Sequence, residues 1–238
     1  MNQKENIRDI SVQKDAVTNL IESSSLTKDF YLMLVLSTIL VSMGLILDNV
    51  IIVIGGMLVS PFLSPLLRLS LSIVVSDSQI IRGSILSTIK AVAVVLPTAF
   101  IVALLVPSEG KETVLLSKIF ESTNLFYLYV SLVAGVAGAY AWAHPKMSSV
   151  LPGVAISVTL LPPLVTMGIG LSFFDGTMFM AGLRSSLVNL LGLLLSATFV
   201  FSLMGFYRVR SHMKKEILEE VEETEKGKKE NGAKKGNT

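Results

Sequence analysis

The sequence predicts an all-α polytopic membrane protein with six transmembrane spans, arranged as two inverted three-helix repeats in which the second and fifth helices are broken. Three observations lead to this prediction. Of the 238 residues, 51% are hydrophobic and 16% are charged, and the mean hydropathy is +0.67. Apolar runs of about 20 residues, the length that crosses a bilayer, recur six times along the chain. Two of these runs carry glycine and proline in mid-run, in the same pattern.

The six spans are expected, in order, at residues 29–47, 49–75, 82–106, 124–143, 148–173 and 178–207. Together they define a transmembrane domain at 29–207, with repeat one at 29–106 and repeat two at 124–207. The apolar stretch that begins at Phe30 has no small-residue cleavage site behind it, which indicates an uncleaved first span rather than a signal peptide. The polar connector at 108–122 predicts a short interfacial helix through its apolar residues, Val114, Leu115, Ile119 and Phe120.

The two ends of the chain are polar. Residues 1–28 form an N-terminal segment, and residues 208–238 form a charged tail whose composition after Gly227 indicates disorder. Cytoplasmic loops of membrane proteins carry an excess of Lys and Arg. Placing both termini in the cytoplasm puts sixteen Lys and Arg residues inside and two, Lys111 and Lys118, outside. We therefore expect both termini in the cytoplasm, and the cell membrane of a prokaryote as the location.

The two interrupted spans share a pattern that predicts an internal repeat. The pattern G-x-x-x-S-x-x-x-x-P occurs in both at an offset of 97 residues, at Gly56, Ser60 and Pro65 and at Gly153, Ser157 and Pro162. In the third and sixth spans the offset is 99 residues, which pairs Gly83 and Lys90 with Gly182 and Asn189. Because each half has three crossings, the second half must be inverted relative to the first. The alternative is that the small residues only let helices pack closely.

Two stretches carry a family resemblance: DNVIIVIGGMLVSPFLSPLLRLSLSI at 48–73 and LPGVAISVTLLPPLVTMGIGL at 151–171. The run Asn-x-x-Ile-x-x-Gly-x-Met-x-x-x-Pro that begins at Asn49, with the later Leu-Pro-Pro, resembles an uncharacterised family of hydrophobic integral membrane domains, domain of unknown function 389. The resemblance covers most of residues 30–206. The resemblance implies the boundaries of a membrane domain. It implies no activity, because the family has no settled activity.

Broken helices predict a binding site, because in lipid every freed backbone N–H and C=O group must be buried in protein or line a wet cavity. Half-helix ends present partial charges to a solute, and prolines leave carbonyls unpaired. Paired interrupted spans also mark the substrate site of secondary transporters. We expect a site for a small polar solute where the second and fifth spans meet near the midplane. Its candidate residues are Asn49, Gly55, Gly56, Ser60, Pro61, Ser64, Pro65 and Lys90 in repeat one, and Gly153, Ser157, Thr159, Pro162, Pro163, Arg184 and Asn189 in repeat two.

The charges within the predicted spans favour an anionic solute over a cationic one. Lys90 and Arg184 lie about two turns from a span end, whereas the nearest carboxylates fall at span ends. A positive interior without carboxylates suits an anion. The alternative is that both side chains snorkel to the lipid headgroups, which a depth of about 10 Å permits. The expected function is a transporter or a channel, and the sequence does not separate the two.

The sequence gives less support to other functions. The absence of Cys excludes disulfide and thiolate chemistry, and no motif for a metal, a cofactor or nucleic acid is present. A serine dyad of Ser60 or Ser157 with His144 can be imagined, but His144 precedes Pro145 at a span end, as interfacial side chains do. We expect no enzyme activity.

The main alternative is a scaffold or sensor that recruits a partner through the charged tail. Met213, Ile217 and Val221 recur every four residues there, which favours helix association and a homo-oligomer.

Overall fold

The structure, a computed structural model, describes residues 3–105, 125–144 and 152–209. Within these ranges the side chains of 3–12, 23, 79, 125–127, 152–159 and 208–209 are not described. The predicted interfacial helix at 108–122 and the tail from 210 onward, with its stripe at Met213, Ile217 and Val221, lie outside the described residues.

The described chain consists of helices and short turns, which confirms the all-α class. In chain order the helices are α1 (Gln3–Ser24), α2 (Lys28–Ile46), α3 (Val50–Val59), α4 (Leu63–Val75), α5 (Ser78–Leu105), α6 (Leu125–Ala143), α7 (Pro152–Ser172) and α8 (Gly176–Leu203), followed by a 3₁₀ turn at Phe206–Val209. The predicted second span is thus two helices, α3 and α4, whose axes differ by 56°.

Several helices are long and apolar enough to cross a membrane. In the part of the chain that the structure describes, Lys28–Ile46, Ile80–Leu105 and Gly176–Leu203 qualify singly, and α3 with α4 adds a fourth if the bent pair is one span. Shorter apolar segments lie at Leu128–Ala143 and Leu160–Ser172. Large apolar side chains cover the outside of these helices, an arrangement that lipid favours and water does not. The chain is an integral membrane protein.

Two helical segments lie in the middle of the bundle. Every residue from 62 to 72, in and just before α4, is buried, and so is every residue from 160 to 170 in α7. Helix α7 contacts α2, α3, α5, α6 and α8, while α4 contacts α1, α5, α7 and α8. These two segments therefore carry the side chains that are best shielded from lipid.

Helix α1 packs across one end of the bundle, although the sequence predicts a polar N-terminal segment at residues 1–28. It contacts α4, α6 and the 3₁₀ turn, and its buried face consists of Ala16, Val17, Leu20 and Ile21. The Gln13 side-chain N–H donates to the backbone C=O of Met204 (2.7 Å). We call this end, where α4, α6 and α8 finish, the α1 end.

Three helix connections use the same kind of turn. In each turn, a residue in the left-handed conformation precedes a short polar residue. The left-handed residues are Asp48, Ser76 and Phe174, and their φ angles lie between 52° and 55°. The polar residues are Asn49, Asp77 and Asp175, and the C=O of each accepts the N–H four residues further on. The side chains of Asn49 and Asp175 also cap α3 and α8.

Removing the cap of α8 tests this geometry. In Asp175→Ala we expect the free energy of unfolding to fall by about 1 kcal/mol, because Asp175 Oδ1 accepts from the N–H groups of Thr177 (2.9 Å) and Met178 (3.1 Å). Asp175→Asn keeps a capping oxygen and should stay near the wild type. Thermal unfolding in detergent compares the two, and an equal loss in both would assign the effect to the charge instead of the cap.

Candidate functional site

The helix break between α3 and α4 is produced by Ser60 and Pro61. A residue before proline is pushed out of the helical region, and Ser60 accordingly has φ −71° and ψ 124°. The Ser60 hydroxyl oxygen accepts the N–H of Phe62 (3.3 Å), and the Pro61 C=O accepts the N–H of Ser64 (3.3 Å). Backbone groups freed by the break thus find partners within the break itself.

Pro65 does not break α4, because it lies in the first turn of that helix. The N–H groups of a first turn have no partner inside the helix, so a proline there removes no hydrogen bond. Ser60, Ser64 and Pro65 are buried, and Pro61 is half-buried. The break therefore places two hydroxyl groups and two prolines inside the membrane domain, where α3 and α4 each contact α7.

Arg68 lies one helical turn beyond Ser64 and is 5% exposed. Its Nη1 donates to the hydroxyl oxygen of Ser24 at the end of α1 (3.3 Å). An arginine side chain inside a membrane domain is costly and is a candidate for function. It is absent from the candidates predicted from the sequence, because Arg68 is one of the sixteen Lys and Arg residues that the predicted orientation places on the cytoplasmic side. The available signal was its position inside the apolar run of residues 63–75.

The predicted break of the fifth span is absent, which corrects that part of the prediction. Pro162 and Pro163 lie inside the continuous helix α7. The Thr166 hydroxyl donates to the Pro162 C=O (2.9 Å), and a Cβ atom at Gly182 of α8 would lie 2.7 Å from the Pro163 carbonyl oxygen. Close packing on all sides holds the helical path through both prolines, as neighbouring helices do in membrane proteins.

The other candidates of repeat one have mainly structural positions. Asn49 is exposed and caps α3. Gly56 is a packing position, since a Cβ there would lie 2.8 Å from Cγ2 of Val41 in α2. Gly55 has no neighbour within 4 Å of such a Cβ. Lys90 is exposed on the outer surface of α5.

The candidate residues of repeat two differ in their exposure. Arg184 is exposed on the outer surface of α8, while Asn189, one and a half turns further, is buried. The backbone of Gly153, Ser157 and Thr159 forms part of α7, but their side chains are outside the described residues. The structure thus places the break at 60–65 between two helices, α3 and α4, that each contact the helix with the proline segment, α7, and it leaves Lys90 and Arg184 exposed.

Chemically, the described site offers neutral oxygen atoms and one kind of cation. Ser60, Ser64 and Thr166 supply hydroxyl groups, and Arg68 supplies a guanidinium whose planar N–H groups match the oxygens of carboxylate and phosphate groups. Such a set can bind and orient a small polar solute. It contains no nucleophile paired with a base among the side chains described at the break.

Comparison with known proteins identifies a family. Residues 57–195 match the model of the domain of unknown function DUF389. An uncharacterized protein of the archaeon Methanocaldococcus jannaschii is 32% identical over 195 residues, which are 81% of this chain and 59% of that protein. The chain therefore spans less than two thirds of the relative's length. No solved structure matches.

Proposed function

Because the chain belongs to the DUF389 family, whose description gives no activity, we propose a function from the chain's own geometry: it is a membrane transporter or channel for a small polar solute, with an anion favoured over a cation. The observation that carries this proposal is the helix break at 60–62, which lies within a buried segment of a membrane domain. Irregular backbone at membrane depth is tolerated where it is enclosed by protein or lines a cavity, and such breaks form the solute sites of secondary transporters.

Two further observations support six spans in two inverted repeats. In repeat one (α2, α3 with α4, α5) and in repeat two (α6, α7, α8), each unit contacts the other two of its own repeat. Across the repeats, the contact of α5 with α7 and the contact of α4 with α8 form one pair that a two-fold axis would exchange. The turn at Ser76 and Asp77 also recurs at Phe174 and Asp175, an offset of 98 residues that lies between the two sequence offsets.

The preference for an anion rests on Arg68 instead of on Lys90 and Arg184. Arg68 is buried in α4, one helical turn beyond Ser64, whereas Lys90 and Arg184 are exposed on the outside of the bundle. A guanidinium in a low-dielectric interior attracts an anion more strongly than it would in water. The proposed site therefore extends from the Ser60 and Ser64 hydroxyls toward Arg68 and the α1 end.

The proposed orientation places both termini in the cytoplasm of a prokaryotic cell. The excess of Lys and Arg in the corresponding loops supports it. The packing of α1 beside the 3₁₀ turn that follows α8 supports a common side for the two ends. The solute would then pass between the break and a cytoplasmic opening at the α1 end.

Solute flux into liposomes tests the proposal. We expect the purified protein to pass one class of solute from a panel of inorganic anions, organic anions and monovalent cations. Ser60→Leu should reduce that flux at least about tenfold, because it removes a buried hydroxyl and adds bulk to a close-packed break. Ser157→Leu tests the matching sequence position of repeat two.

Two controls make the result interpretable. Ser202→Leu is the same substitution at an exposed position of α8 and should leave the flux unchanged, and Ser60→Ala removes the hydroxyl without added bulk. Size-exclusion profiles and thermal unfolding check that each variant folds. If the folded wild type passes no solute of the panel, the transport proposal is wrong and a scaffold or sensor role takes its place.

A further inference from the structure

Two buried serine hydroxyls have no hydrogen-bond partner in the part of the chain that the structure describes. They belong to Ser84 in α5 and to Ser172 at the end of α7. Ser84 is fully buried, and Ser172 is 7% exposed. Buried polar groups without partners are uncommon in native proteins, so each of these hydroxyls needs an explanation.

Other buried hydroxyls of the bundle bond to their own helix. A serine or threonine in a helix can donate to a C=O group of the preceding turn. Hydroxyls that do so here, at 2.7–3.1 Å, include those of Ser37, Ser42, Ser70, Thr88 and Thr166. Ser84 and Ser172 make no such bond, and an unmade hydrogen bond of a buried hydroxyl lowers stability. The two hydroxyls are therefore candidates for binding something polar.

The two hydroxyls lie near opposite ends of a parallel helix pair. Helix α5 begins at the α1 end, directly after the turn that follows α4. Helix α8 finishes at the α1 end, so α7, which leads into α8 through a tight turn, ends at the opposite end of the bundle. Ser84 lies six residues into α5, or about 9 Å from its start. Ser172 is the last residue of α7.

Helices α5 and α7 pack closely between these two positions. A Cβ atom at Gly168 of α7 would lie 2.6 Å from Cβ of Ala99 in α5. Ser172 follows Gly168 by one turn, and Ser84, Thr88 and Ala99 lie on the buried face of α5 at spacings of four and eleven residues. We call these five residues the α5–α7 seam. The seam is closed where Ala99 meets Gly168, and an unpartnered hydroxyl lies on each side of this point along the helix axes.

The seam is next to the helix that begins at the break. Helix α4 contacts both α5 and α7. Because α4 and α5 form a hairpin around the turn at 76–77, residues at equal distances from that turn lie at similar depth, which brings Thr88 to the level of Pro65. The hydroxyls of Thr88 and Ser84 thus continue from the depth of the break toward the α1 end.

We propose that the solute crosses the membrane along the α5–α7 seam, with Ser84 as a binding residue at the α1 end and Ser172 as a binding residue at the opposite end. The inference rests on the proposed function, in which α5 and α7 belong to different repeats. Rocking of one repeat against the other separates the seam at Ala99 and Gly168, and each hydroxyl then donates to water or to the solute. The ligand is a small solute that accepts hydrogen bonds, and ionised oxygens accept the strongest ones.

The sequence contains no cysteine, so each position can be tested with a single introduced thiol. Ser84→Cys and Ser172→Cys are made in the full chain, in intact cells and in inside-out membrane vesicles. Two membrane-impermeant methanethiosulfonates, one with a sulfonate and one with a quaternary ammonium group, are added, and the mass of the purified protein reports labelling. We expect each thiol to react from one side only, Ser84→Cys from the cytoplasmic side and Ser172→Cys from the other. Relative to its rate with a free thiol, the anionic reagent should react faster than the cationic one.

Ser42→Cys is the matched control. Ser42 is as fully buried as Ser84, but its hydroxyl donates to the Thr38 C=O at 2.7 Å. Its thiol should react from neither side until the protein is unfolded. Reaction of Ser42→Cys at the rate of Ser84→Cys would overturn the seam, because labelling would then report a general opening of the bundle.

Flux gives a second measurement that does not depend on labelling. Ser84→Ala should lower the flux of the solute that the wild type passes by about twofold to tenfold, the range of one hydrogen bond. It should not lower thermal stability, because the hydroxyl has no partner among the described residues. Ser42→Ala should leave the flux unchanged. Equal flux in Ser84→Ala and the wild type would overturn the assignment of Ser84.

The outcomes separate the seam from the transport proposal. Labelling of Ser84→Cys and Ser172→Cys from opposite sides, without flux of any solute of the panel, would support water access to the seam and overturn transport. Flux through the wild type with neither thiol labelled would overturn the seam and leave transport intact. Labelling of both thiols from the same side would also overturn the seam, because both positions would then belong to one opening.

Discussion

Replacing Arg68 by methionine is expected to reduce anion flux at least about tenfold without lowering the thermal stability of the protein. The loss of flux follows from removing the buried cation beside the helix break. Stability should change little, because methionine fills a similar volume and the removed cost of burying a charge offsets the lost hydrogen bonds of Arg68, among them the one to Ser24. A fall in function with unchanged stability is the result that separates a binding residue from a packing residue.

Arg82→Met is the matched control for this prediction. Arg82 is exposed near the start of α5, so the substitution removes the same charge from the protein surface and should leave flux near the wild-type value. Flux in liposomes and thermal unfolding in detergent are measured for both variants. Equal flux in Arg68→Met and Arg82→Met would show that Arg68 does not bind the solute, and a large loss of stability in Arg68→Met would assign it a structural role.

The sequence predicts the helix break in the second span and wrongly predicts one in the fifth, and the reason lies in a single residue. The repeat pattern pairs Pro65 with Pro162, but the break is made by Pro61, whose counterpart at the same offset is Val158. Because Pro61 ends α3, Pro65 lies in the first turn of α4, where a proline removes no helical hydrogen bond. Pro162 lies in mid-helix, where only tertiary packing decides whether the helix continues.

The charged residues were harder to place from the sequence. Helix α5 directs Ser84, Thr88, Ala91 and Val95 inward at helical spacing, which leaves Lys90 on the opposite face. This stripe of small residues is visible in the sequence, so the exposure of Lys90 was predictable in principle. The burial of Arg68 was not, because it depends on how the helices pack around α4, including α1, whose Ser24 accepts from the guanidinium.

Helix α1 illustrates how composition can hide an element. Residues 1–28 are polar on average, which indicates a loop or a tail, yet Ala16, Val17, Leu20 and Ile21 recur at the spacing of one helix face. The structure buries that face against the end of the bundle. A periodicity test on the segment predicts the helix, whereas its docking site can be known only from the packed bundle.

Gly182→Ala is expected to give the largest loss of stability among single methyl additions at the α7–α8 contact. A Cβ atom at Gly182 would lie 2.7 Å from the Pro163 carbonyl oxygen and 2.9 Å from the Met167 backbone nitrogen. Both neighbours are backbone atoms of α7, so no side chain can rotate away and the two helices must separate. Overpacking of this kind costs about 1–3 kcal/mol.

The sequence pattern supplies the matched control, because Gly83 of α5 is paired with Gly182 at the offset of 99 residues. A Cβ atom at Gly83 meets nothing within 4 Å, so Gly83→Ala should stabilise the protein by up to about 1 kcal/mol through helix propensity alone. Thermal unfolding of the two variants in the same detergent gives the comparison. Unfolding temperatures that shift in opposite directions would mean that the two positions differ in packing. The backbones of α7 and α8 would then be in close contact at Gly182, while Gly83 of α5 would have no close neighbour. Equal shifts of the unfolding temperature would contradict the close approach of α7 and α8. They would also contradict the argument that this packing keeps α7 helical at Pro162 and Pro163.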